Sequence, residues 1–329
     1  MRLSVIIPTY QRAASLTRTL GTIAAQTCPP AEVIVVDQSV GPARAEVQEA
    51  VRKIKEAGLQ VNYLWSQIRS STSARNVGMS MASGDWVIFS DDDVDWPIDV
   101  VATLLRKLEA EPSLAMVGAR DLRVSQEPRS FLRRLPAALF LNDSLLPLQR
   151  GTVFDSMQAR YPQPVTGDME TEWATGYWFA VDRALVQRHA LSFDERMTRY
   201  AQAEDMLFSH QVYLASKLEG RRCIVSEQIA VHHLVTQEWR EPDPFADLCG
   251  AWNRIYIASQ LRTGPSFWLS LASIYWASIH QGLVRIAHGR GWIGHFRAYA
   301  IAVRHLTQIR AGRFERLYAA YEKPSRLGT

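Results

Sequence analysis

"VIFSDDDVDW", residues 87–96, sets an apolar run directly against three consecutive carboxylates. A short apolar run of this kind, preceded by Gly84 and Asp85, reads as a strand buried on both faces. Adjacent negative charges repel, and a chain gains no packing by placing them together. In an extended segment side chains alternate, so Asp91 and Asp93 point one way and Asp92 the other. Two carboxylates converging at a strand end make half of a hard-oxygen site. Mg²⁺ or Mn²⁺ uses such a site, taking one or two carboxylates from protein and the rest of its ligands from phosphates and water. A solvated acidic turn or a helix cap uses the same residues, and the triplet alone fits both readings.

The surrounding sequence places that strand in a sheet. "LSVIIP" (3–8), "EVIVVD" (32–37), "VNYLW" (61–65) and "LAMVGA" (114–119) read as further strands. Helical patterns over 12–26, 43–57, 73–82 and 99–111 separate them. Strands alternating with helices predict an α/β fold, with a mostly parallel, Rossmann-like sheet covered on both faces. Ligands in such sheets bind beyond the carboxyl ends of the strands. That rule puts Pro8–Tyr10, Asp37–Ser39, Ser66–Arg69 and Asp91–Asp93 on one rim. The middle of the chain is less regular, although "EWATGYWFAVDRAL" (172–185) reads as a strand entering a helix.

Composition narrows the class. The 329 residues are 47% hydrophobic and 21% charged, a globular balance. Cys28, Cys223 and Cys249 are far apart and show neither zinc spacing nor a disulfide framework. The chain enters a strand without the basic start and long apolar stretch of a signal peptide, so a cytoplasmic catalytic domain is expected. Residues 251–329 hold eleven Arg and Lys against two acids, a net +9 in a chain of +4 overall. That asymmetry points to a tail that docks on an anionic surface, or to a solvated helical face.

Five segments in order carry a resemblance. "VIIPTYQR" (5–12), "VIVVDQS" (33–39), "SARNVGMSMASGDWVIFSDDD" (73–93), "TGYWFAVDR" (175–183) and "AEDMLF" (203–208) together resemble the family 2 glycosyltransferases of the GT-A fold. The resemblance implies a non-processive, inverting transferase using a nucleotide sugar, with Mn²⁺ or Mg²⁺ as cofactor. It implies that Pro8, Thr9 and Tyr10 contact the nucleotide base; Tyr10 can stack on a flat ring or pack the first helix. Asp37 falls where the family binds base or ribose. Arg75 falls near base or diphosphate, where its planar fork suits such acceptors, and an Arg75–Asp salt bridge is the alternative. Asp91 and Asp93 become metal ligands, with Asp92 beside them at the donor. Asp205 becomes the general base, supported by Glu204; acids opening a helix are the plainer reading of that pair. A histidine about two dozen residues later is a third metal ligand in some members. Here that is His232, with His233 as the alternative. Gly176 lets a substrate approach the backbone. Where many members carry an Asp and a later Arg after the base, this chain has Phe208 and Gln211.

The expected organisation is a GT-A catalytic domain over 1–240, with a nucleotide-binding half at 1–120 and an acceptor half at 121–240. A helical, basic and aromatic region follows over 241–329. Residues 264–284 carry no Lys, Arg, Asp or Glu, a length that could span a bilayer. Arginines on both sides argue instead for a segment lying in the membrane plane. In the next helix Trp292, Phe296, Tyr299, Val303 and Leu306 form a stripe, with Arg290, Arg297 and Arg304 beside it. The expected location is peripheral, on the inner face of the cell membrane. The expected acceptor is a lipid-linked or growing saccharide in cell-surface glycan synthesis. No nucleic-acid reading motif accompanies the cations. The rival readings are a nucleotidyltransferase, which should carry a Gly-rich loop that "PTYQRAAS" lacks, and a non-catalytic sugar- or membrane-binding protein on the same fold.

Overall fold

The computed structural model describes residues 1–124, 139, 151–162, 164–198, 201–236, 238, 243–289 and 291–322. Arg290 and residues 323–329, both within the tail discussed above, lie outside the described residues.

The first half builds as the sequence predicts. Strand β1 (Leu3–Thr9) leads to helix α1 (Ala13–Ala24), then β2 (Glu32–Asp37), α2 (Pro42–Glu56), β3 (Val61–Trp65), α3 (Ser71–Met81) and β4 (Trp86–Ser90). These four strands pair in parallel in the order β3-β2-β1-β4. Alternate residues of β1 face opposite layers. Val5 and Ile7 pack with Leu16, Leu20 and Ile23 of α1, while Ile6 packs on the other side with Ala74 of α3. Helix α3 lies so close that a Cβ at Gly78 would meet the Ile6 side chain at 2.4 Å.

The second half departs from the expected mostly parallel sheet. After β5 (Val94–Asp95) and α4 (Val100–Ala110) come β6 (Leu114–Asp121), β7 (Asp168–Glu170), β8 (Trp178–Asp182), α5 (Arg183–Arg188), α6 (Glu204–Leu218) and β9 (Arg222–His233). The path of the sheet is β3-β2-β1-β4-β8-β6-β9-β5, with β7 added to β9. Strand β8 inserts antiparallel between β4 and β6, and β5 and β7 both run antiparallel to β9. The sheet is therefore mixed. A strand buried on both faces is apolar throughout whichever way it runs, so β8 gave no sign of its direction.

The remaining helices are α7 (Asp243–Leu261), α8 (Gly264–Ala287), α9 (Trp292–Arg304), α10 (Leu306–Arg310) and α11 (Phe314–Glu322). They share one apolar cluster with the middle of the chain: Trp252, Tyr256, Phe267 and Tyr318 pack with Met197, Met206 and Leu207. Among the described residues no helix is long and apolar enough to cross a membrane. The α9 stripe expected to face outward is instead split. Tyr299 is buried, Phe296 is half-buried against α8, and Trp292 and Val303 are exposed. Part of its period packs on α7 and α8, which an amphipathic sequence cannot distinguish from a face on lipid.

Candidate functional site

The carboxyl ends of the parallel strands open on a cavity of about 560 Å³, within the ordinary range for small-ligand sites. Pro8, Thr9, Tyr10, Arg75, Asp91, Asp92, Asp93, Gly176, Glu204, Asp205 and His233 all line it. Residues spread over more than two hundred positions thus meet at one rim, as the topology requires.

The three aspartates occupy a tight turn between β4 and β5 rather than an extended segment. They nevertheless separate as expected. Asp92 turns inward, where Thr9 Oγ1 donates to its Oδ2 at 2.6 Å and Arg12 Nη1 pairs with its Oδ1 at 2.8 Å. Burial pushes the Asp92 carboxyl up to about 7 against the pull of Arg12 and Thr9. Asp92 is therefore a tie between the first and fourth strands. Asp91 and Asp93 instead converge with His233, each offering one ligand atom, and these atoms lie within 4.8 Å of one another.

The pairing of β5 with β9 selects the histidine. Val94 sits opposite His233 and Asp95 opposite His232. His233 therefore turns inward, with Nε2 3.4 Å from Asp93 Oδ1 and its ring stacked on Tyr177 at 5.1 Å. His232, the favoured candidate from sequence, is exposed on the other side. Burial alone would raise the Asp93 carboxyl, but His233 and Arg12 hold it well below the usual range. Asp93 Oδ1 is buried, with the His233 ring as its long-range partner. Two converging carboxylates and an imidazole fit a divalent cation of the Mn²⁺ or Mg²⁺ type.

Arg12 ends the segment "VIIPTYQR", where no local pattern marks it for a role. Its guanidinium spans Asp92 and Asp93 and also donates to Thr236 Oγ1. Thr236 in turn donates its backbone N–H to Asp93 Oδ2 at 3.0 Å. One cation thus binds the β1–α1 turn, the aspartate turn and the chain after β9.

Arg75 fulfils the salt-bridge alternative. It is 3% exposed and bridges Asp91 Oδ1 at 3.0 Å and Glu204 Oε1 at 2.5 Å. Glu204 also accepts from Ser71 Oγ at 3.2 Å. Asp205, one residue on, is held by two backbone donors, Gly176 N at 2.6 Å and Met206 N at 2.8 Å. Burial raises its carboxyl well above the ordinary range; the Glu204 charge adds to this, and Arg75 opposes it. A carboxylate oxygen accepts more than one hydrogen bond, so Asp205 keeps acceptor capacity toward the cavity.

Asp37 is placed differently from its expected role. It is fully buried and outside the cavity lining, with Tyr63 Oη on one oxygen and Ser39 N on the other, both at 2.8 Å. Its neighbour Gln38 lines the cavity instead. Tyr10 is covered on one face by the Arg69 guanidinium, 4.6 Å from the ring centroid. Phe208, at the position where the family pattern departs, packs against Phe89, Phe179 and Phe193 in the core.

Backbone strain concentrates here. Gln11, Ala203 and Val235 all have positive φ, at 58°, 70° and 52°. Each adjoins a site residue: Arg12, Glu204 and Thr236. A non-glycine residue in this region costs on the order of 1–3 kcal/mol, which surrounding contacts must offset. Strained backbone of this kind recurs at functional sites.

The glycosyl transferase family 2 model matches residues 4–176. The chain belongs to that family. Its relatives include the amylovoran biosynthesis glycosyltransferase AmsB of Erwinia amylovora, 30% identical over 137 residues, which are 40% of this chain and 45% of that protein. Validoxylamine A glucosyltransferase of Streptomyces hygroscopicus subsp. limoneus is 30% identical over 176 residues, 49% of this chain and 38% of that protein. The chain spans less than half the length of these two relatives. Among solved structures, the mannosyltransferase PcManGT from Pyrobaculum calidifontis, in complex with GDP-Man and Mn²⁺, is 20% identical with a TM-score of 0.53; the match covers 94% of this chain and 84% of that one. TarS 1–349 of S. aureus in complex with UDP-GlcNAc is 16% identical with a TM-score of 0.52, covering 93% and 92%. These structural likenesses establish the GT-A-like mixed α/β fold.

The family 2 chain makes one position testable through its backbone alone. A Cβ at Gly176 would stand 3.2 Å from both Cβ and Oδ2 of Asp205, and 3.3 Å from Arg75 Nη2. Gly176→Ala therefore presses Asp205 and Arg75 aside by a few tenths of an ångström while leaving every charge in place. For Asp205 acting as the base proposed below, the expected result is an activity lowered by about tenfold, less than a misplacement of about 1 Å would cost. Unchanged activity would show that Asp205 does not need this position.

Proposed function

We propose that this family 2 chain is a metal-dependent inverting glycosyltransferase. It would move a sugar from a nucleoside diphosphate donor, UDP-linked in our reading, to a lipid-linked or growing saccharide at the inner face of a membrane. The observation that carries the proposal is the division of labour among carboxylates. Asp91, Asp93 and His233 line the cavity as one group. Asp205 lines the same cavity outside that group, held on the backbone of Gly176.

Displacing a nucleoside diphosphate builds negative charge on its leaving oxygen. A divalent cation held by Asp91, Asp93 and His233 would supply Lewis-acid stabilisation of that charge. The chain's own residues do the rest. Asp205 accepts the proton of the incoming hydroxyl. Gly176 N and Met206 N aim its carboxylate, and Glu204, fixed by Arg75 and Ser71, holds the first turn of α6. Arg12 sets the aspartate turn. Tyr10 and Gln38 line the end of the cavity where the β1 and β2 termini would meet a base.

The test is release of nucleoside diphosphate from nucleotide sugars in the presence of Mn²⁺. Chelator is expected to abolish release, and Asp93→Asn to lower it by about 10²-fold or more, the size of one electrostatic transition-state contact. Release indifferent to both would remove the metal from the proposal. Incorporation of nucleotide monophosphate with pyrophosphate release would favour a nucleotidyltransferase instead.

A further inference from the structure

Helix α8 is apolar on both its faces. Its buried face sets Phe267 and Ile274 among the small residues Ser270, Ser273, Ala277, Ser278 and Gly282. Its outward face carries the large apolar side chains: Trp268, Leu269, Trp276, Ile279, Leu283 and Ile286 are 40–62% exposed. Ala272, also exposed, completes their three- and four-residue spacing. The helix has 24 residues and is roughly 36 Å long at about 1.5 Å per residue. An ordinary surface helix buries its large apolar residues and exposes its serines. A contiguous outward apolar stripe of this length marks an interaction surface.

The charge around the stripe selects the partner. Residues 264–310 contain five arginines and no Asp or Glu. Arg310 lies over Phe267 at 4.3 Å and beside Trp268 at 5.9 Å, at the first end of the stripe. Arg285, half-buried, lies in the last turn of the helix. Arg297 and Arg304 are exposed on α9, which packs on α8. Exposed tryptophans with an arginine border suit the boundary between lipid headgroups and acyl chains. A second copy of the chain would bring two arginine borders together, which like charges oppose. Among the described residues no helix is long and apolar enough to span.

We infer that the outward face of α8, rather than the α9 stripe, is a docking surface for an anionic lipid bilayer, with the helix lying in the plane of the interface. The inference deepens and rests on the membrane-surface acceptor proposed above. The Trp276 indole donates to the carbonyl of Leu139 at 2.9 Å, yet Trp276 remains 48% exposed, so that contact leaves the stripe open.

Flotation with the full chain tests it, using vesicles of phosphatidylcholine alone or with about one-third phosphatidylglycerol. The chain should float with the anionic vesicles and be released by salt, as screening requires. Ile279→Glu/Leu283→Glu should weaken binding by about tenfold or more while nucleotide release from a soluble donor stays unchanged. In the unmodified chain, tryptophan emission should shift to the blue on adding anionic vesicles. Failure to float, equal flotation of the double variant, or a dimer that the double variant disperses would overturn the inference. A chain that floats but releases no nucleotide would leave docking in place and remove the transferase reading.

Discussion

Asp205→Asn should leave donor binding within about twofold and lower sugar transfer by about 10²–10⁴-fold, the usual contribution of a general base. The asymmetry follows from position. Asp205 sits on the first turn of α6, outside the group formed by Asp91, Asp93 and His233. The substitution removes the proposed proton acceptor and nothing from that group. The pH profile gives a second readout. A base works deprotonated, so kcat/KM falls as pH drops through its pKa. Burial and the Glu204 charge raise that pKa above the ordinary aspartate value of 3.8, against Arg75. The acid limb of the profile should therefore lie well above the range of an exposed carboxylate. A profile flat down to pH ~4, or full activity in Asp205→Asn, would reject the assignment.

Much of this site was legible because the first half of the chain obeys simple periodicities. Buried parallel strands are apolar runs closed by Pro8, Asp37 and Asp91, and topology puts their ends on one rim. What stayed hidden depended on register and distant pairing. Alternation allows one of two adjacent histidines to face inward, but which one is set by β5. That strand has two residues, too few for any pattern. Arg12 is separated from Asp92 and Asp93 by about eighty residues, and nothing local marks it as their counter-ion. Asp37 ends its strand as expected, yet the Tyr63 hydroxyl engages it from β3, whose side chains sequence cannot aim. The α8 and α9 helices show the same limit. Periodicity reveals that a helix has an apolar face, whereas the fold decides whether protein or solvent lies against it.

The second large effect should come from Arg75. The side chain is buried and bonds both Asp91 and Glu204, with Asp205 close by. Arg75→Met keeps most of the volume and removes the charge. Breaking a buried ion pair from one side typically costs about 3–5 kcal/mol, because the other side is left without compensation. Here two carboxylates lose their shared cation, so the cost should reach that range and lower the melting temperature by several degrees. Arg75→Lys should lose less stability, since the charge remains, but a single ammonium does not reproduce the fork that spans both acids. Acidity separates charge from packing. Burial already raises the Asp91 carboxyl and Arg75 opposes that rise, so without the guanidinium Asp91 holds its proton still more tightly in the folded chain than in the unfolded one. That difference stabilises the folded variant at low pH and is lost as pH rises through the raised value. The gap in melting temperature between Arg75→Met and the unmodified chain should therefore narrow as pH falls. A gap constant across pH would mean that Arg75 acts through volume alone and that the acids flanking it do not depend on its charge.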